Sequence, residues 1–332
     1  MKPGQHMAAE IAQAPGVFAA TAQKDQSITL ILDVIRIKSA LYTVARGSSD
    51  AAANILSYEF MRELGRPVTS LPPSIFSLGG SVAMDHAVAI VISQSGASQD
   101  LVRSASGIRD RGGLVLAITN VPGSAVELVA DATLRIGAGP ELAVPATKSV
   151  IGSIAVGIAL LAQLKPGYDA AASGAIFAGL VGLTHPQSGA LTHALTQAQH
   201  VYVIGRDTGF GAAHEVALKL KECCALHAEA YSSSEVLHGP LQLVTKPLLI
   251  LILDTGSPEI QDSLNTAEAR FRAAGGTVFR IRPDDLGVTG LLPAAAAALL
   301  LCLMYPVILA TALALGHDPD RPATLSKVTQ TT

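Results

Sequence analysis

Short apolar runs alternate with segments of helical periodicity along most of the chain. Residues 86–92, 114–119 and 248–253 are almost continuously apolar, which is typical of strands buried on both faces of a parallel sheet. A segment with apolar residues at helical spacing begins near Gln99, shortly after the first run. This alternation predicts an α/β fold built from doubly wound parallel sheets that are flanked by helices.

The same pattern occurs twice in the chain, which indicates an internal repeat. The matches that keep one constant offset are Tyr42 with Tyr202, Arg46 with Arg206, and Ser95-Gly96 with Thr255-Gly256. We therefore predict two tandem domains of the same architecture. The predicted boundaries are a helical arm over 1–26, a first domain over 27–164, a linker with a helix over 165–188, a second domain over 189–316 and a tail over 317–332.

One segment is apolar enough to need a separate interpretation. Residues 291–316 carry no charge and are long enough to span a bilayer. Pro293 and Pro306 interrupt the segment, so we predict a buried or interface pair of helices instead of a membrane span. The first six residues contain no apolar stretch that resembles a signal peptide, and we expect no membrane partner.

Composition and charge narrow the class of protein. The 332 residues are 49% hydrophobic and 15% charged, which predicts a large core, and the net charge of −3 gives no support for nucleic-acid binding. Three cysteines without a spacing framework argue against structural disulfides and favour a reducing compartment, the cytoplasm. No cluster of metal-ligating residues and no nucleotide-binding glycine motif is present, so we expect no metal and no cofactor.

The segment Ser93-Gln-Ser-Gly-Ala-Ser98 joins a predicted buried strand to a predicted helix. Helix N-termini attract anions because their first amide groups lack partners in the helix and the helix dipole favours negative charge there. Hydroxyl and amide side chains add uncharged donors at this point. The segment therefore predicts a binding site for a phosphate group that belongs to a small molecule.

Motifs spread over most of the chain resemble the sugar isomerase (SIS) family of phosphosugar-binding domains, and most of all the tandem-SIS isomerase half of the glucosamine-6-phosphate synthases and the stand-alone SIS-type deaminases. The matching segments are Ser93-Gln-Ser-Gly96, Thr119-Asn-Val-Pro-Gly-Ser124, Ala146-Thr-Lys148, Ala217-Leu-Lys-Leu-Lys-Glu222, His227-Ala-Glu-Ala-Tyr231, Glu235-Val-Leu-His-Gly-Pro240 and Leu325-Ser-Lys327. The resemblance implies a hexosamine or hexose 6-phosphate as the substrate, a homodimer with a shared active site, and chemistry at sugar carbons 1 and 2.

The resemblance also implies roles for individual residues. Glu222 is the expected base that moves a proton between C2 and C1, with Lys219 beside it on the same helix. His238 is expected to assist ring opening from the neighbouring subunit, and Lys327 is the expected Schiff-base lysine. The structural alternatives are a surface salt bridge from Glu222 to Lys219 or Lys221, a loop histidine that contacts a backbone carbonyl, and a solvated tail lysine.

The expected substrate-binding residues are Ser48, Ser49, Ser93, Gln94, Ser95, Ser98, Val144 and Ala146, the last two through backbone groups. Each serine has the alternative of capping a helix or closing a strand-end turn, and Ser49 or Asp50 is a candidate cap for the helix that follows. In the second domain, Leu253-Asp-Thr-Gly256 stands in place of Ser-Gln-Ser-Gly. Since an aspartate repels phosphate, we expect one phosphate site per chain, in the first domain.

Together these features predict an amino-sugar phosphate enzyme, foremost a glucosamine-6-phosphate deaminase. Alanine replaces the family's serine at position 146, and no segment resembles a glutaminase domain, so we expect no release of ammonia from glutamine. The alternatives are a phosphosugar aldose–ketose isomerase, an ammonia-dependent synthase-like enzyme and a fructosamine-phosphate deglycase. From another class comes a sugar-phosphate sensor, although the segment before Leu41 has no basic cluster that would bind DNA.

Overall fold

The computed structural model of the protein describes residues 2–24, 26, 28–79, 82–180, 182 and 184–327. The predicted start of the first domain at Ser27 and the last five residues of the predicted tail, 328–332, lie outside the described residues.

Two parallel sheets form the framework of this part of the chain. The strands are β1 (Ala40–Val44), β2 (Val68–Ser70), β3 (Ala87–Ser93), β4 (Leu114–Thr119), β5 (Ala132–Arg135), β6 (His200–Gly205), β7 (His227–Ser232), β8 (Leu249–Leu253) and β9 (Thr277–Ile281). The first sheet has the order β2-β1-β3-β4-β5 and the second the order β7-β6-β8-β9, with all pairings parallel. The orders match strand for strand, apart from β5, which confirms two doubly wound copies.

Helices connect and cover the strands. They are α1 (Gln5–Ala22), α2 (Thr29–Ile37), α3 (Gly47–Leu64), α4 (Ser74–Ser77), α5 (Gln99–Arg109), α6 (Ala125–Val129), α7 (Lys148–Leu164), α8 (Ala170–Ala178), α9 (Ser188–Gln197), α10 (Thr208–Cys224), α11 (Gln261–Ala273) and α12 (Pro293–Ala314). The predicted arm thus contains α1, and the predicted linker contains α8. The expected cap of α3 by Ser49 or Asp50 is wrong, because α3 already begins at Gly47 with Arg46 in the cap position, so both residues lie in its first turn.

The central strands β3 and β8 are buried because their side chains are almost all apolar on both faces. All seven residues of β3 and all five of β8 are buried. Tyr42 and Tyr202, the repeated tyrosines, lie at equivalent positions in β1 and β6, and each packs into the apolar core of its own sheet. Continuous apolar strands therefore fix each sheet between two layers of helices.

The apolar segment near the C-terminus forms one helix, so the predicted pair of helices is wrong. The helix α12 runs from Pro293 through Pro306 to Ala314 without a break. By length and composition alone it could cross a membrane, but 83% of its apolar window is buried inside the protein. It packs mainly against α10. This packing stabilises the helix across Pro306, which lacks the N–H for one helical hydrogen bond.

The described residues divide into two compact units. The unit of the first sheet, called the first-sheet unit, contains the described residues of Gly16–Glu141, Lys148–Gly179 and Lys327–Thr332. The unit of the second sheet, called the second-sheet unit, contains the described residues of Met1–Pro15, Leu142–Thr147 and Leu180–Ser326. The chain therefore passes between the units several times, and α1 contributes residues to both.

Candidate functional site

The predicted phosphate-binding loop lies at the C-terminal end of β3, in the first-sheet unit. Gly96 has a φ of +59°, and a Cβ at this position would lie 2.1 Å from the Ser124 hydroxyl oxygen. The Gly96 N–H donates to Ser93 Oγ at 3.1 Å, and the Ala97 N–H donates to Ser95 Oγ at 3.3 Å. Because each hydroxyl oxygen accepts an amide proton, its own proton remains available for an anion. The tight turn thus orders two serine hydroxyls as donors.

The other expected ligands of the phosphate surround this turn. Ser98 occupies the cap position of α5, yet its side chain makes no capping hydrogen bond. Gln94 is half-buried, and its backbone carbonyl accepts from Asn120 N at 3.1 Å. Ser48 and Ser49 are half-buried in the first turn of α3, which follows the adjacent strand β1. Loops after β1 and β3 therefore supply these groups at one edge of the sheet, where ligands of doubly wound folds bind.

An ion pair next to the loop was not found by sequence reasoning. Asp100, in the first turn of α5, is buried, and its Oδ2 accepts from Arg46 Nε at 2.8 Å. Arg46 is half exposed and follows β1. The pair links the start of α5 to the loop after β1. The two residues stand 54 positions apart, so only the neighbouring positions of β1 and β3 in the sheet bring them together.

The equivalent loop of the second sheet is occupied by a side chain of the protein. Asp254 is fully buried, and its Oδ1 accepts from the Gly256 N–H at 2.8 Å. Its Oδ2 accepts two hydrogen bonds from Arg280, at 2.8 and 3.0 Å. A buried carboxylate therefore stands in this turn, which supports the expectation that a phosphate binds only in the first domain.

The expected base, Glu222, lies near the end of α10 in the second-sheet unit. Its side chain is 27% exposed, and its Oε2 accepts from Lys219 Nζ at 2.6 Å. Lys219 is fully buried, so the pair is not a surface salt bridge. Burial by itself lowers the pKa of Lys219, but the carboxylates of Glu215 and Glu222 outweigh it and hold the pKa above its ordinary value. Lys219 is therefore a permanent ammonium group beside Glu222.

A second carboxylate and a tyrosine complete this cluster, and sequence reasoning missed both. Glu215 is fully buried, and its Oε1 lies 3.4 Å from Lys219 Nζ and accepts from Tyr305 Oη at 3.1 Å. Glu215, Lys219 and Glu222 are spaced four and three residues apart, which places them on one face of a helix. That spacing was visible in the sequence. The contribution of Tyr305, from the remote helix α12, was not.

His238 is exposed at the end of a 3-10 helix, Glu235–His238, in the second-sheet unit. Gly239 follows with a φ of +154° and changes the backbone direction. Arg206, at the end of β6, donates to Ser232 Oγ at 3.0 Å and to Ser234 Oγ at 2.6 Å. Arg206 thereby fixes the segment that leads to His238.

The expected sugar-contacting residues Val144 and Ala146 are half-buried in the loop Leu142–Thr147 of the same unit. Glu10 of α1 holds the start of this loop. Its buried carboxylate accepts from the Leu142 N–H, and both of its oxygens lie 3.3 Å from the Ala143 nitrogen. The N-terminal helix, to which the sequence assigned no function, thus contacts a predicted binding loop.

The expected Schiff-base lysine, Lys327, belongs to the first-sheet unit. Its Nζ lies 3.5 Å from Glu141 Oε2, and Glu141 is fully buried. The Glu141 carboxylate also accepts from the N–H and the hydroxyl group of Ser149, in the first turn of α7. Lys327 is therefore held in an ion pair, which differs from the alternative of a solvated tail lysine.

The candidate residues thus form two groups. In the first-sheet unit lie Ser48, Ser49, Ser93, Gln94, Ser95, Ser98 and Lys327, and in the second-sheet unit lie Val144, Ala146, Lys219, Glu222 and His238. Neutral donors dominate the first group and proton-transferring side chains the second. Within the described ranges, no group of three His, Cys, Asp or Glu side chains is arranged to hold a metal ion.

Comparison with known proteins gives consistent results. The SIS domain model matches residues 35–163 and 194–282. The glutamine–fructose-6-phosphate aminotransferase of Aeropyrum pernix is 30% identical and aligns with 97% of this chain. The chain spans 56% of the length of that relative.

Two solved structures have the same fold. A Silicibacter pomeroyi protein assigned as a phosphosugar isomerase is 31% identical, with a TM-score of 0.80, over 95% of this chain and 99% of the other. The glucosamine-6-phosphate deaminase of Thermotoga maritima is 20% identical, with a TM-score of 0.78, over 98% of this chain and 100% of the other. At that lower identity the similarity concerns the fold alone.

Proposed function

Because this chain belongs to the SIS domain family, we propose that it is an enzyme that acts on a hexosamine or hexose 6-phosphate. Within this class we propose a glucosamine-6-phosphate deaminase, which yields fructose 6-phosphate and ammonia in a reversible reaction. The observation that carries the proposal is the carboxylate of Glu222, partly exposed and bonded to the buried ammonium of Lys219. A half-exposed base with a fixed cation beside it is suited to proton transfer on a bound sugar.

The phosphate group is bound by the uncharged cradle after β3. Serine hydroxyls at positions 93, 95 and 98, the Gln94 amide and the dipole of α5 all favour an anion, and Ser48 and Ser49 contact phosphate or sugar hydroxyls. The loop with Val144 and Ala146 offers backbone groups to the sugar. Binding in this way orients the open-chain substrate, which converts the chemistry into an intramolecular step.

The reaction then follows from the side chains. His238 moves the proton between ring oxygen and anomeric hydroxyl that opens the pyranose. Glu222 takes the proton from C2, the electrons of the broken C–H bond form a double bond between C1 and C2, and the π electrons of the C1 carbonyl move to its oxygen, which takes up a proton. Glu222 then returns its proton to C1, the double bond between C1 and C2 breaks, and the nitrogen lone pair forms a double bond to C2, which leaves a protonated imine at C2. Water adds at C2, ammonia leaves, and the ketose phosphate is released.

Lys219 and Lys327 have supporting roles in this proposal. Lys219 places a positive charge beside the Glu222 carboxylate, because the neighbouring carboxylates hold the pKa of Lys219 above its ordinary value. Lys327 acts as a Schiff-base lysine when a ketose phosphate enters without an amine, and the ion pair with Glu141 holds its amino group until then.

We further propose a homodimer with a shared active site, in the cytoplasm. The resemblance to tandem-SIS enzymes supports the dimer, since their ring-opening histidine comes from the neighbouring subunit. The three cysteines, which are free and buried, support a reducing compartment.

A second candidate is a phosphosugar aldose–ketose isomerase. The similarity of 31% to a protein assigned as a phosphosugar isomerase favours it. The same base and the same cradle serve both reactions, because isomerisation also moves a proton between C1 and C2. The two differ only in whether an amine is released.

Two assays test the proposal. The first measures ammonia release from glucosamine, galactosamine and fructosamine 6-phosphates. The second measures the interconversion of glucose 6-phosphate and fructose 6-phosphate. We expect ammonia from glucosamine 6-phosphate and a decrease in kcat of about 10²- to 10⁴-fold in Glu222→Gln, the usual contribution of a general base. Lys221→Gln, an exposed lysine on the same helix, is the matched control and should keep wild-type activity.

The other outcomes decide against the deaminase. Interconversion without ammonia assigns an isomerase, and release of an amine only from fructosamine 6-phosphate assigns a deglycase. Tight binding of glucosamine 6-phosphate without any turnover assigns a sensor.

A further inference from the structure

The N-terminal helix α1 makes hydrogen bonds to two distant segments of the chain. One is the predicted sugar-binding loop, and the other leads to the expected Schiff-base lysine. Glu10 contacts the start of the loop Leu142–Thr147, as described above. The other segment precedes Lys327: the carboxylate of Asp320 accepts from the His6 N–H at 2.8 Å and from the Met7 N–H at 2.9 Å. All of these contacts lie within the second-sheet unit.

The helix itself is firmly anchored. Asp318 Oδ1 accepts from the Gly4 N–H at 2.9 Å, so aspartates distant in sequence satisfy three amide groups at its start. Negative charge at a helix N-terminus is also favoured by the helix dipole. Glu10 follows within the second turn, so its side chain extends from a rigid element.

The contact of Glu10 with the loop is specific to a carboxylate. Glu10 is 4% exposed and Ala143 is fully buried, so water does not compete for the hydrogen bonds between them, whereas Leu142 is 60% exposed. Both carboxylate oxygens accept from backbone amides, Oε1 from Leu142 and Ala143, and Oε2 from Ala143. A glutamine would present an amide group in place of one oxygen, and two N–H donors would then face each other.

We propose that Glu10 is a positioning residue for the sugar-binding loop: its buried carboxylate fixes the backbone of Leu142 and Ala143 and so sets the position of Val144 and Ala146. This inference rests on the proposed function, because only that function gives Val144 and Ala146 their role. Neither the sequence motifs nor the expected catalytic residues include Glu10.

The proposal predicts a particular kinetic signature. Backbone groups that hold the sugar equally in the ground state and the transition state affect KM and not kcat. A displaced loop in Glu10→Gln should therefore raise KM for glucosamine 6-phosphate about tenfold or more, with kcat changed by less than about threefold. Glu10→Asp keeps the charge but is shorter, so it should have an intermediate KM.

Hydrogen exchange of the backbone amides gives a second readout. In Glu10→Gln the amides of Leu142 and Ala143 should exchange faster than in the wild type, while those of α8 should not change. Asp169→Ala is the matched control, because Asp169 also binds a backbone amide through its carboxylate, Ala172 N at 2.9 Å, but at the start of α8. It should leave KM and the exchange of the loop unchanged.

Every outcome decides the proposal. Wild-type KM in Glu10→Gln overturns it, even when the loop amides exchange faster, because Glu10 would then be structural only. If Glu10→Gln does not fold, Glu10→Asp decides by the same measurements. A wild-type protein that binds glucosamine 6-phosphate without turnover overturns only the proposed activity, and the dissociation constant then replaces KM. Absence of both binding and turnover overturns both proposals.

Discussion

Burial determines the chemistry of the three cysteine side chains. It raises the pKa of Cys302 to about 12, and it is the main reason that the pKa of Cys223 is also raised to about 12. Burial likewise raises the pKa of Cys224 far above its ordinary value. Because the thiolate is the reactive form, none of these thiols is a nucleophile near neutral pH.

We expect that an aromatic disulfide reagent modifies none of the three thiols in the native protein at about pH 8, and all three in guanidinium chloride.

A thiol with a raised folded-state pKa contributes stability that is complete below its unfolded pKa, 9.0, and is lost as the pH rises towards about 12. Lys219, whose pKa is also raised, has the same sign. The free energy of unfolding, measured in urea, should therefore fall as the pH rises above about 9. Rapid modification of a native thiol, or a free energy that increases over this range, would contradict the prediction.

The chemistry of single residues was only partly readable in the sequence. The spacing of Lys219 and Glu222 predicted a pair, and the pair exists. Its burial was not predictable, because Glu215 and Tyr305 complete the cluster from the same helix face and from the remote helix α12. A local pattern indicates which residues are neighbours on a helix, but not which distant element covers them.

At the scale of elements, the turn after β3 depends on a glycine. Gly96 combines a left-handed backbone with a position where a Cβ would overlap the side chain of Ser124. Gly123 shares the positive φ, +70°, but has open space around it. The two glycines therefore separate the effect of the backbone conformation from the effect of the overlap.

Gly96→Ala should lower the free energy of unfolding by about 2–4 kcal/mol, which combines the left-handed conformation with overpacking. Gly123→Ala, the matched control, should lower it by only about 1–2 kcal/mol. The first substitution should also raise KM for the phosphosugar, because it displaces the hydroxyls of Ser93 and Ser95, and the second should not. Urea titrations and steady-state kinetics check both statements, and equal effects of the two substitutions would show that the overlap has no importance.

The elements themselves were largely predictable. Alternating apolar runs and helical segments gave β3, β4 and β8 within about one residue, since strands buried on both faces leave an unambiguous pattern. The exception is α12, where Pro306 predicted an interruption. Packing against α10 stabilises that helix, and packing between remote elements is not visible in a local pattern.

At the scale of the whole molecule, the proposed dimer predicts which subunit supplies each catalytic side chain of an active site. If His238 and Glu222 of one active site come from different subunits, a heterodimer of Glu222→Gln and His238→Ala has one site with both defects and one intact site. If both come from the same chain, each site of the heterodimer carries one defect.

We expect the purified heterodimer, isolated through two different affinity tags, to have about half of the wild-type activity per dimer. The two homodimeric variants serve as controls and should both be nearly inactive. An inactive heterodimer would contradict the shared site, and a failure to form any dimer would contradict the proposed assembly.

The repeat was visible in the sequence, and the matching strand orders confirm it. The allocation of residues to the compact units was not visible. Nothing in the sequence indicates that the loop Leu142–Thr147 belongs with the N-terminal helix, because Glu10, which contacts the loop, is more than a hundred positions away. Such long-range contacts are set by the tertiary structure alone.

The carboxylate of Asp254 has a consequence for how the two halves respond to their surroundings. The carboxylate forms an ion pair with Arg280 inside the second sheet, so the end of that sheet does not require a bound anion. The cradle of Ser93 and Ser95 has only neutral groups, and an anion bound there adds stability in proportion to the logarithm of its concentration. Addition of inorganic phosphate, which contacts only this cradle, should therefore slow proteolysis of the first-sheet unit and leave the cleavage rate of the second-sheet unit almost constant.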